Sequence, residues 1–101
     1  MESDDSASPS MTDLMAAVGQ FLLCWGWLEN ALDSRPIPVE LKPIRNMRNT
    51  MCHGLRGAHA NPLENASTAY IECCPQDGNL VKYSFQDIQS AIRCLETARR
   101  C

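Results

Sequence analysis

A chain of 101 residues is long enough for one compact domain and too short for two, and a core of that size gains from oligomerisation. The longest apolar run, residues 21–28, falls well short of the roughly 20 residues that span a bilayer. The acidic, polar start has no basic region ahead of an apolar stretch, so export and a membrane partner are not expected, and the location expected is cytoplasmic.

In that setting the six cysteines, Cys24, Cys52, Cys73, Cys74, Cys94 and Cys101, read as reduced thiols and small hydrophobes. No C-x-x-C spacing occurs, so neither a metal site nor a cofactor is expected from them. The formal charge of −3 is unevenly spread, because Glu2, Asp4, Asp5 and Asp13 fall in the first thirteen residues. Between Arg35 and Arg56 five bases face Glu40 alone, a net of +4, which offers a basic face to an anion. An ordinary solvated face is the alternative.

Residues 1–9, rich in Ser and Asp, read as a disordered tail, and the folded domain is expected over 10–101. Ser10 with Asp13 makes an S-x-x-D capping signal. Leu14, Val18, Phe21, Trp25, Leu28 and Leu32 follow at helical spacing, predicting a helix from about Met11 to Leu32. Leu23 and Trp27 fall opposite that stripe, so the central turns are apolar nearly all round, as in a helix covered on both sides. Those two residues are therefore the candidate interface of a homodimer. Glu29 lies within the stripe, expected against the core and in want of a basic partner.

Pro36 and Pro38 break the chain into a connector, with a single turn at 39–42. A second helix begins around Pro43, carries Ile44, Met47 and Met51 on one face, and stops at Gly54 just after His53. From 54 to 68 the composition of Gly, Ala, Asn, Pro and Ser reads as a loop, and His59 within it as a surface residue. Ala69 to Cys73 and Leu80 to Tyr83 flank a turn-forming Pro75–Asn79 stretch, predicting a short hairpin. Ser84 and Asp87 repeat the capping signal, and Phe85, Ile88, Ile92 and Leu95 mark a last helix ending near Arg99 and Arg100. The expected fold is all-α, a small bundle of three main helices with a short β-hairpin before the last.

Arg48 and Asn49 stand before His53 as R-N-x-x-x-H at the end of the second helix. By itself such a short pattern arises readily by chance. Its setting resembles the HEPN family, whose domains carry R-N-x-x-x-H or a close variant near a helix end. Trp27-Leu28-Glu29 is similar to the aromatic-Leu-Glu pattern of the family's long first helix, and the capped last helix is also familiar there. The likeness covers roughly residues 10 to 100. Many members place a further helix before the motif helix, where here only about ten Pro-rich residues stand.

The resemblance implies a metal-independent endoribonuclease, often a toxin or defence effector with a cognate antitoxin, in which two motifs of a homodimer share one cleft. The residue types suit that chemistry. Histidine exchanges protons near neutrality, and a helix C-terminus favours its charged form. Arg48 offers a planar fork to phosphate oxygens. Asn49, one turn before His53, is placed to orient the imidazole or touch RNA. Arg45 and Arg56 are candidate substrate contacts, and Glu29 a structural support for Arg48. Beside this stands a bland reading, in which Arg48 binds Glu29 and His53 a carbonyl only to stabilise the fold. Two rivals remain: a non-catalytic module of this type that binds a nucleotide, RNA or a protein, and a thiol or metal protein built on the cysteines.

Overall fold

The computed structural model describes residues 10–60, 69–75 and 78–100. The expected tail at 1–9 lies outside them. Helix α1 spans Met11–Leu32, and its first turn is closed by a reciprocal box: Ser10 Oγ accepts from the Asp13 amide and Asp13 Oδ2 accepts from the Ser10 amide. At its other end Asp33 adopts a left-handed conformation and donates its N–H to the Glu29 carbonyl, while the Arg35 guanidinium donates to the Leu32 and Ala31 carbonyls. Arg35 thus serves as a C-terminal cap, where a cation also complements the helix dipole.

A 3-10 turn, Val39–Leu41, leads into α2, Lys42–Gly54, with Pro43 in its first turn. Then comes β1, Leu55–His59, followed by β2, Tyr70–Cys73, and β3, Val81–Ser84. Helix α3, Phe85–Arg100, closes the order, opened by a second reciprocal Ser84–Asp87 box. The strands form one antiparallel sheet in the order β1-β2-β3.

The all-α expectation is therefore corrected to α+β. The hairpin belongs to a three-stranded sheet, and the segment read as a loop supplies its first strand. Leu55-Arg56-Gly57-Ala58-His59 has no β-branched residue to announce a strand. Backbone pairing with β2 overrides that weak preference, and the register slips between Leu55 and Gly57, a bulge of the kind edge strands tolerate.

The core gathers Leu14, Val18, Phe21, Trp25 and Leu28 of α1 with Ile88, Ile92 and Leu95 of α3. Ile71 and Cys73 close it from the inner face of the sheet, and Leu41 and Met51 from the α2 side. Cys73 and Cys74 part as adjacent strand positions should, one buried and the other half-buried. By length and composition alone α1 is long and apolar enough to cross a membrane, a test that the core helix of a soluble domain also passes.

Candidate functional site

The C-terminal end of α2 is fixed by a close approach. Cys74, just past β2, donates its amide to the Gly54 carbonyl at 2.7 Å, and a Cβ on Gly54 would run into the Cys74 backbone. Only glycine fits there. This closure draws Pro75 to the end of α2, where Asn49, Thr50, His53 and Pro75 line a concavity of about 360 Å³.

His53 is exposed in it, and among the described residues its side chain makes no hydrogen bond or ion pair. The bland reading assigned it a carbonyl partner, which is not found among those residues. Asn49 is exposed and Thr50 half-buried on the same wall. Thr50 is one of the unspecified positions inside the motif segment; Pro75 has no signal in the sequence, since it arrives only through the Gly54–Cys74 closure.

Arg48 points elsewhere. Five residues separate it from His53, about 140° round a helix of 3.6 residues per turn, and it does not line the concavity. Its Nη2 lies 3.5 Å from Glu29 Oε2, and its guanidinium carbon 5.7 Å from the centre of the Trp25 ring. Trp25 and Glu29 are one turn apart on α1, so Arg48 lies along that turn, its side chain 24% exposed and that of Glu29 49%. Glu29 was expected against the core; it sits at the edge of the stripe instead, its carboxylate partly in water. Trp25 is buried, and its Nε1 has no hydrogen-bond partner among the described residues.

Arg45 is half-buried and Arg56 exposed, the latter at the bulge of β1. Cys52 is exposed on the arc of α2 between Arg48 and His53. Among the described residues no group of three His, Cys, Asp or Glu is gathered as a metal site. One perturbed titration stands out: burial pushes the Cys73 thiol above its ordinary value.

The outer side of α1 is apolar. Leu23 is 58% and Trp27 49% exposed, and Met15 and Leu22 lie open on the flank that also carries Glu29. No charged residue occurs between Asp13 and Glu29, and around Gly19 and Gly26 the space beyond the helix is open. Sequence spacing singled out Leu23 and Trp27; Met15 and Leu22 join them because the core stripe is narrower than the apolar surface of the helix.

Set beside protein-family models, curated proteins and solved structures, the chain has no match.

Proposed function

We propose that the protein is an endoribonuclease of the HEPN type, acting in the cytoplasm as a toxin or defence effector without a bound metal. The observation that carries the reading is the presence on one short helix of an exposed His53 in a concavity, with no hydrogen bond or ion pair among the described residues, and of an Arg48 held by Glu29 and Trp25 about 140° round the same helix. A histidine kept only for stability belongs in a hydrogen bond, whereas a proton-transfer group must be free to meet a substrate.

In the proposed reaction the RNA 2′-hydroxyl attacks the adjacent phosphorus. The O2′–P bond forms, the bond to the 5′-oxygen breaks, and the products are a 2′,3′-cyclic phosphate and a 5′-hydroxyl. One His53 accepts the 2′-hydroxyl proton and a second donates a proton to the leaving oxygen, while Arg48 donates to the phosphorane oxygens. Asn49 orients the imidazole or the substrate, Arg45 and Arg56 contact flanking phosphates, and Glu29 positions Arg48.

Two His53 side chains require two copies of the chain, since His59 lies at the far end of β1. The proposed homodimer joins through the outer face of α1, with Leu23 and Trp27 at its centre, since a helix side that presents these two large hydrophobics to solvent, with no charge between Asp13 and Glu29, favours association. Arg48 is seated on the adjoining flank, so pairing there carries the two motifs towards one another.

The test uses three variants. His53→Ala and Arg48→Ala are each expected to abolish cleavage with helical content and melting temperature nearly unchanged. Trp27→Glu is expected to shift the protein to monomer in sedimentation and to lower cleavage in step. Cleavage that persists in both of the first two, or a wild-type monomer fully active at nanomolar concentration, refutes the shared site. The second reading, a non-catalytic module that binds RNA, a nucleotide or an antitoxin-like protein, is favoured by the engagement of Arg48 with Glu29, which a purely structural pair would also show.

A further inference from the structure

The residues on the outer face of the sheet do not belong to the core, and three of them form a stack. Register sets two rows there: His59, Tyr70 and Ser84 in one, Gly57, Glu72 and Lys82 in the other. The His59 and Tyr70 rings stack with centroids 5.2 Å apart and planes 24° from parallel. Lys82 crosses from the next row to place its ammonium 4.8 Å from the centre of the Tyr70 ring. His59 and Lys82 are exposed and Tyr70 half-buried, so the stack opens to solvent. His59 was read as a lone surface residue; it is part of this stack.

The location of the stack matters as much as its make-up. Strand β1 begins at Leu55, two residues after His53, and β2 runs out through Cys74 to Pro75, which lines the His53 concavity. Along the strand direction the two outer rows follow the end of α2 in order, the Gly57 row first and the Tyr70 row beyond it, about 16 Å along β1 from Gly54 at 3.3 Å per residue. Arg56, exposed at the bulge, stands between. Gly57 puts no side chain into the nearer row, and among the described residues the Glu72 carboxylate is what stands beside it.

We propose that this outer face, centred on the His59–Tyr70–Lys82 stack, is a platform for the bases of a single-stranded RNA whose scissile phosphate lies at His53. The proposal rests on the ribonuclease reading and names how that site would hold its substrate. Aromatic rings presented by a sheet stack on unpaired bases, and nearby cations take the phosphates. Lys82 is the exchangeable member: an incoming base takes the Tyr70 face and leaves the ammonium to the adjacent phosphate. Arg56 and Lys82 supply the charge complementarity, and a duplex, whose bases are already stacked, cannot use the rings.

The experiment measures binding of a short fluorescein-labelled single-stranded RNA of mixed sequence by anisotropy, in full-length protein carrying His53→Ala to prevent turnover. Tyr70→Ala and His59→Ala are each expected to weaken binding about tenfold, within the span that loss of one stacked base allows. Tyr70→Phe keeps the ring and is expected to bind within about twofold of its parent. Lys82→Ala is expected to weaken binding and lower the salt slope by about one ion. His59 is on an edge strand, so its variant remains informative if Tyr70→Ala fails to fold. The platform is overturned if the His59 and Lys82 variants bind like their parent, if duplex RNA binds as well as single strands, or if no form binds RNA. Loss of binding in these variants alongside a wild type that cuts nothing upholds the platform and removes the catalytic reading. Unchanged binding alongside an active wild type does the reverse.

Discussion

Arg48 spans the contact between α2 and α1 to reach Glu29, its Nη2 3.5 Å from Oε2, while its guanidinium carbon lies 5.7 Å from the centre of the Trp25 ring. An ion pair as open to water as this one contributes at most about 1 kcal/mol. Its consequence is orientation: two contacts from one turn of α1 limit the rotamers of a long side chain that would otherwise sweep a wide arc. Glu29→Gln is accordingly expected to change stability by less than about 1 kcal/mol and to reduce cleavage by roughly tenfold to a hundredfold, the upper end being what a misplacement of about 1 Å costs. Arg48→Lys should not restore activity, because an ammonium lacks the planar fork. A Glu29→Gln protein with unaltered cleavage would make the pair structural only.

Gly54 is expected to be the least replaceable position near the site. A methyl group there meets backbone, not a side chain that can turn aside, so α2 and the exit of β2 must separate. Gly54→Ala should cost about 1–3 kcal/mol, the range for forced overpacking, read as a fall in melting temperature. It should also move Pro75 away from His53 and so lower cleavage in whatever fraction stays folded. A melting temperature equal to wild type would show that the strand exit yields easily.

Cys73 supplies a pH test. Burial holds its thiol neutral above the ordinary value of 9.0, so the folded state binds a proton that the unfolded chain gives up. Its effect on stability is absent at neutral pH and grows as pH rises past 9.0 towards the raised folded value, with stability falling across that window. Denaturant melts between pH 8 and 10 should fall more steeply for wild type than for Cys73→Ala. In native protein at pH 8, exposed Cys52 and Cys94 should react with a thiol reagent long before Cys73. Equal labelling of all three would contradict its burial.

The helices were legible because their signals are local. Ser10 with Asp13 and Ser84 with Asp87 mark two starts, Gly54 marks a stop, and the Leu14-to-Leu32 stripe needs only neighbours three and four residues away. Strand β1 was not legible, since Gly57 and Ala58 acquire strand geometry only by pairing with Glu72 and Ile71 far along the chain. The same distance in sequence hid the site's outline. That Arg48 would meet Glu29 followed from helix faces, but Pro75 joins His53 through the Gly54–Cys74 hydrogen bond, and His59 joins Tyr70 through sheet register. Local patterns carry no trace of either.

The most direct test of the central claim is the product of a single incubation. Purified protein mixed with end-labelled single-stranded RNA in excess chelator is expected to give fragments ending in a 2′,3′-cyclic phosphate, identified by mass, and His53→Ala protein at equal concentration none. Fragments that appear only when magnesium is restored, or that form equally with His53→Ala, would contradict the assignment of the proton-transfer step to His53.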